Sequence, residues 1–303
     1  MNFETSKSKA LIVTAWVFLC LSSGLPKIIL QEIFKSPVSA DLSAAIAAGV
    51  TLAGLALTFL WNAVRGLRPF FALFLVLTGT EWFVYTKVEQ LLFYRAWLEN
   101  PSFNVFMPAE QSLRLIVTLV MIAALFLMRK RASAFFLRMG DRHAPAEGVR
   151  WLGIEPGSPW DKVGRNFTFF ISLGTLAFLM LAGSPPLDLV VRALPFLPAV
   201  LIAAALNAFN EEMTYKASFL SVLEDAVGRN QALWLMAAYF GIGHFYGVPY
   251  GVVGVLMAGF LGWFLGKSML ETRGLWWAWF IHFWQDVWIF SFLAIGSIAP
   301  GGG

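Results

Sequence analysis

Residues 197–223 read LPAVLIAAALNAFNEEMTYKASFLSVL, an apolar run that carries two adjacent acids, Glu211 and Glu212, in its second half. A helix rises about 1.5 Å per residue, so a run of this length spans the roughly 30 Å of hydrocarbon in a bilayer. A carboxylate at that depth costs roughly 3 kcal/mol even on insertion scales, so a chain that keeps two side by side is expected to use them. The stretch therefore decides the fold class, a helical membrane protein, and marks where its chemistry is to be sought.

The rest of the chain agrees. Of its 303 residues 58% are hydrophobic and 13% are charged, against about 25% charged in soluble domains. Apolar stretches at 10–25, 41–62, 69–87, 111–128, 166–183, 196–222, 231–246, 251–269 and 275–296 predict an all-α polytopic protein of about eight or nine transmembrane helices. None shows the alternating period of a barrel strand. The first follows Lys7 and Lys9 as a signal peptide would, but LSSGLPK lacks a small-x-small cleavage site, so it is read as a helix. The single cysteine, Cys20, leaves no intramolecular disulfide and no thiolate-rich zinc site. Any metal would need carboxylates and imidazoles. No fixed-period repeat is found, and the one low-complexity feature is the Gly301–Gly303 tail.

The widest polar stretch, 129–165, is rich in Arg and Lys, which by the positive-inside rule places it in the cytoplasm. With nine helices the N-terminus would then lie inside and the C-terminus outside. Topology accounts for the net charge of +4, so no nucleic-acid partner is needed. Within the loop, AFFLR (134–138) reads as an interfacial segment, and Trp151 and Trp160 suit the headgroup region. The expected organisation is N-terminal transmembrane helices over 1–128, a basic interfacial loop over 129–165 and a catalytic membrane core over 166–303.

Helical spacing sorts the polar residues of that core. Glu212 and Lys216 are four apart, acid before base, and face one another. Glu211 projects about 100° away, towards the face of Asn207 and Tyr215. The two acids thus have different jobs: Lys216 holds Glu212 ionised, while Glu211, without an obvious cation, is the candidate general base. Further on, AYFGIGHFYGVPYG (238–251) sets Phe240 and His244 on one face, with Gly241, Gly243 and Gly247 leaving room for a close helix or a substrate backbone. WWAWFIHFWQDVWIF (276–290) places His282 and Asp286 one turn apart, where the carboxylate can orient the ring. His143, in the basic loop, reads as solvated. Taken singly, each pair has a structural reading as a helix bridge, a packing residue or a polar clamp. Glu81, in FLVLTGTEWFVYTK, shows that an acid in an apolar segment does not by itself mark a site, since Lys87 or a cation on another helix can pair with it.

In chain order the pieces are EEMTYK (211–216), FGIGH (240–244) and HFWQD (282–286). Together they resemble the CPBP intramembrane proteases, the family of type II CAAX prenyl endopeptidases and abortive-infection or bacteriocin-processing relatives. Its motifs read Glu-Glu-x-x-x-Arg, Phe-x-x-x-His and His-x-x-x-Asn or Asp. The resemblance covers about residues 150–296. It implies that Glu211 and His244 activate a water, that His282 and Asp286 stabilise the oxyanion, and that Glu212, Lys216 and Phe240 support them. Two positions depart from the pattern. Lys216 stands for the usual arginine, exchanging a planar fork for a point charge and holding Glu212 less rigidly. Asp286 stands where many members have asparagine, and as an ionised group it cannot donate to an oxyanion, so it must orient a protonated His282 or itself be protonated.

The resemblance implies an intramembrane endopeptidase, an integral multi-pass protein of a bacterial cell membrane, acting on a membrane-embedded or lipid-anchored protein or peptide. No cofactor is expected, because base and oxyanion partner are already present. A zinc ion on Glu211, His244 and His282 is the alternative. Two other readings are a non-catalytic membrane scaffold or immunity protein on the same fold, and a proton-coupled transporter using Glu211 and Glu81.

Overall fold

A Ser-Ser-Gly-Leu-Pro sequence at 22–26 cannot continue a straight helix, because Pro26 lacks the N–H that would bond back into it. In the computed structural model, which describes residues 3–299, helix α1 (Phe3–Ser22) therefore ends there, and α2 (Leu25–Ile28), extended by a π-helical turn over Ile29–Ile33, leaves at 50°. Next come α3 (Ala40–Leu60), α4 (Arg68–Phe83), which runs into a π-turn over Val84–Val88, α5 (Leu92–Leu98) and α6 (Phe103–Leu127). Beyond the basic loop are α7 (Trp160–Ala182), α8 (Leu187–Ala193), α9 (Leu197–Glu211), α10 (Ser218–Val227), α11 (Arg229–Gly243), α12 (Val252–Thr272) and α13 (Trp276–Gly296). The Gly301–Gly303 tail lies outside the described residues.

The protein is thus all-helical and polytopic. Seven helices among the described residues are long and apolar enough to cross a membrane, or eight if bent α1–α2 counts as one span. That is fewer than the nine apolar stretches. One difference is the bent α1–α2 pair and the other is α11: expected over 231–246, it has only 15 residues, roughly 22 Å at 1.5 Å per residue. Its end is local chemistry, because Gly243 gives way to a turn in which the N–H of Gly247 bonds to the carbonyl of His244. Two other stretches grow. The helix expected over 111–128 begins at Phe103 and carries Pro108 inside it. The one expected over 196–222 is the middle of a helical run from Leu187 to Val227.

The basic loop departs from its interfacial reading. Phe135 and Phe136 are buried in the protein core, as is Trp160, the first residue of α7. Only Trp151 is exposed, and it lies against Phe260 and Trp263. A pair of isolated bridges, Pro145 to Pro159 and Val149 to Ile154, folds residues 145–159 back on themselves just before Trp160. His143 is exposed, as its surroundings in sequence suggest.

Three contacts position the core. Helices α11 and α12 approach closely at Gly241, where an added Cβ would sit 2.6 Å from the Val255 carbonyl, so only glycine fits. Helix α13 packs on α7, α9 and α12. The ring of Phe74 (α4) stacks on Phe219 (α10) at 5.5 Å, and both meet Tyr239 of α11, which ties the N-terminal helices to the C-terminal ones.

Where the loop meets this core, Glu271 of α12 is 2% exposed and accepts from Trp160 Nε1 at 2.7 Å, with the Lys267 ammonium also bonded to it. Removing one charge from a buried pair leaves the other unmatched, at a cost of about 3–5 kcal/mol. Glu271→Gln is therefore expected to lower the thermal midpoint in detergent well below that of Glu99→Gln, which breaks the solvent-exposed pair of Glu99 with Arg95. Equal midpoints for the two variants would refute this account of the loop anchor.

Candidate active site

Helix α9 keeps its α-helical register as far as Glu211, and residues Glu212–Ala217 then wind as a π-helical turn before α10 resumes. Such a turn widens the helix locally and re-aims the side chains that follow. Tyr215 shows the effect. Four residues after Glu211, it was expected on the same face, yet its hydroxyl donates to Glu81 Oε1 on α4 at 2.6 Å. Lys87 is not the partner of Glu81, for its ammonium lies over the Trp82 ring. Asn207 keeps the expected face, with Nδ2 3.3 Å from Glu211 Oε1.

Glu212 and Lys216 do pair, Nζ to Oε1 at 2.7 Å, and both side chains are fully buried. The same Oε1 accepts from His282 Nδ1 at 2.7 Å. Glu212 is thus more than a helix bridge: it fixes the imidazole of the last helix. The Lys216 ammonium also lies 3.4 Å over the Phe240 ring, a contact that stabilises a desolvated cation. Phe240 in turn packs on His244, ring centroids 4.4 Å apart.

The two imidazoles are set by what their Nδ1 atoms touch. His244 Nδ1 is 2.8 Å from the carbonyl of Phe240. A carbonyl only accepts, so Nδ1 carries the hydrogen and Nε2 is left to face other groups. His282 Nδ1 donates to Glu212, and its Nε2 lies 3.7 Å from Glu211 Oε2 and 3.6 Å from Asp286 Oδ1. Asp286 is held from its other side, Oδ2 accepting from Asn207 Nδ2 at 3.0 Å.

Glu211, His244, His282, Asp286 and Phe240 all line one cavity of about 590 Å³. Its polar floor comes from α9, α11 and α13. Phe178 and Leu179 from α7, Met257 and Phe260 from α12 and Leu293 from α13 add apolar lining, while α6 contributes Glu110, Gln111 and Arg114. Glu81 is not among the lining residues. Of the three glycines beside His244, Gly241 serves the helix contact and Gly243 faces open space. Among the described residues, no three His, Cys, Asp or Glu side chains are gathered closely enough to share a metal ion. The set Glu211, His244 and His282 therefore does not fit a zinc site as arranged.

Sequence reading missed one participant. Arg114 of α6 places Nη1 3.4 Å from Glu211 Oε1, so the acid without a cation on its own helix has one from 97 residues upstream. It arrives on a polar stripe. Gln111, Arg114 and Thr118 lie three and four apart on α6, opposite Asn207, Asn210 and Thr214. Gln111 Nε2 donates to Asn207 Oδ1 at 3.3 Å, and Thr118 Oγ1 meets Asn210 Oδ1 at 3.0 Å and Thr214 Oγ1 at 2.9 Å. The spacing of each stripe was legible, but their pairing was not.

No curated protein and no solved structure matches the chain significantly. One family model does, over residues 193–288: the type II CAAX prenyl endopeptidase, Rce1-like. The match begins just before α9 and ends two residues past Asp286, and so spans the acid pair, both imidazoles and the aspartate, but not Arg114. Over those residues the C-terminal core of this membrane protein is similar to the Rce1-like type II CAAX prenyl endopeptidases.

Proposed function

We propose that the cavity hydrolyses a peptide bond in a membrane-embedded or lipidated protein or peptide, with Glu211 as general base. The observation that carries this reading is the meeting of Glu211, His244, His282 and Asp286 in one cavity with a largely apolar lining. A water hydrogen-bonded to Glu211 and to Nε2 of His244 gives its proton to Glu211 as its oxygen bonds to the scissile carbonyl carbon. The carbonyl oxygen becomes an oxyanion facing Nε2–H of His282, a ring protonated on both nitrogens and held through Nδ1 by Glu212. As the tetrahedral intermediate collapses, the C–N bond breaks and Glu211 returns its proton to the leaving amine. Asp286, tethered by Asn207, keeps His282 in line.

The test is turnover of a farnesylated peptide ending in the modified cysteine and three further residues, by purified protein in liposomes. General-base removal typically costs 10²–10⁴-fold, so Glu211→Gln is expected to lose at least about 100-fold while still folding to a cooperatively melting protein. Glu212→Gln should lose both turnover and stability, since it unpairs Lys216 and frees His282. Near-normal cleavage by Glu211→Gln would end its role as base. A wild-type protein that releases no product would favour the scaffold reading.

Asp286 allows a finer test. Asparagine there can turn its amide to offer oxygen to Asn207 and N–H to the oxyanion, so Asp286→Asn is expected to stay within roughly tenfold of wild type. Asp286→Ala offers neither and should fall about 100-fold. If the asparagine variant is as slow as the alanine one, the carboxylate charge is itself required.

The reaction as drawn uses no metal. Prolonged chelation should leave turnover intact, and elemental analysis should find well under one zinc per chain. Loss of activity on chelation with recovery on adding Zn²⁺ would instead reassign Glu211 from base to ligand.

A further inference from the structure

Glu211 has two oxygens, and the structure treats them differently. Oε1 faces two donors, Asn207 Nδ2 at 3.3 Å and Arg114 Nη1 at 3.4 Å. Oε2 is the oxygen turned to His282, with its Nε2 at 3.7 Å, and no donor is within hydrogen-bond distance of it among the described residues. A base that can rotate its carboxylate wastes encounters with the water, and fixing one oxygen removes that freedom.

Arg114 also has a plainer partner. Its Nη2 lies 2.7 Å from Glu110 Oε1, one turn back on α6, and pairs of that spacing on a helix surface contribute only a few tenths of a kcal/mol. That pair does not account for where the guanidinium goes. It lines the cavity, with about a third of its side chain exposed, and its remaining arm points across the helix boundary to Glu211. Gln111 and Thr118 bond α6 to α9 on either side of it, so its position relative to Glu211 is set by the fold rather than by a flexible side chain alone.

We propose that Arg114 is a positioning residue for hydrolysis: with Asn207 it holds Oε1 of Glu211, leaving Oε2 as the oxygen that takes the water's proton. The inference rests on the reading of Glu211 as base, and it brings into the reaction a residue that lies outside the family match. Because Arg114 acts through Glu211 and not on the substrate, its loss should be felt in kcat and not in KM.

The experiment compares wild type, Arg114→Gln, Arg114→Lys and Glu211→Gln on the farnesylated peptide in liposomes. Arg114→Gln is expected to lower kcat about 100-fold with KM within about threefold, a penalty typical of a misplaced catalytic group. Arg114→Lys keeps the charge and should recover to within about tenfold of wild type, which also covers the case in which the glutamine variant fails to fold. A raised KM at unchanged kcat would make Arg114 a substrate-binding group and overturn the proposal. Wild-type kcat in Arg114→Gln beside an inactive Glu211→Gln would overturn it alone, whereas an active Glu211→Gln would overturn the base and Arg114 together. Should wild type cleave nothing, the reading of Glu211 as base and the role of Arg114 in hydrolysis are overturned together.

Discussion

One carboxylate oxygen, Glu212 Oε1, organises the core. It accepts from Lys216 Nζ and from His282 Nδ1, each at 2.7 Å, and neither Glu212 nor Lys216 exposes any side-chain surface. Removing such ions from water costs several kcal/mol apiece, and attraction at best repays it. The cluster is therefore a device for position more than for stability. It ties the π-turn after α9 to the middle of α13, and through the Lys216 contact with Phe240 it reaches α11 and His244. The lysine in place of an arginine was expected to leave Glu212 loosely held. His282 adds a second donor, but to the same oxygen, and Oε2 is buried with no hydrogen-bond partner among the described residues, so the two-oxygen grip of a guanidinium fork is absent while the compact ammonium fits over a phenyl face.

How much of this was legible in the sequence follows from the range of each interaction. Hydropathy and spacing are local quantities, and they carried the helical membrane class, the Glu212–Lys216 pair, the common face of Phe240 and His244 and the turn from His282 to Asp286. The failures are of two kinds. Some are local rules overridden by packing: Pro108 sits inside α6, and Phe135, Phe136 and Trp160 are core residues in a segment whose composition reads as interfacial. Others are partnerships between distant helices, which no local period encodes. Tyr215 finds Glu81, Glu212 finds His282, and Glu211 finds Arg114, over separations of 134, 70 and 97 residues.

The π-turn belongs to both kinds. Its sequence, EMTYKA, has no glycine or proline to announce it. What it achieves is visible only in three dimensions, because it lets Glu211 and Glu212 serve the cavity floor and the buried cluster while Tyr215 turns to α4. A regular helix would have stacked Tyr215 over Glu211, where a phenol would crowd the acid that the cavity leaves accessible.

Asn207 shows why the site is not contained in the matched segment alone. Its amide nitrogen serves Glu211 and Asp286, and its oxygen accepts from Gln111 of α6. Asn210 and Thr214 are buried against the same helix, with Thr118 between them. Without α6 these groups would face lipid or an apolar void, and each buried polar atom left unsatisfied costs about 1–3 kcal/mol. The aromatic stack of Phe74 on Phe219 would be lost with the neighbouring helix α4. Both the polar stripe and the stack thus bind the N-terminal helices to the core, and Glu211 acquires its cation as a consequence of that packing.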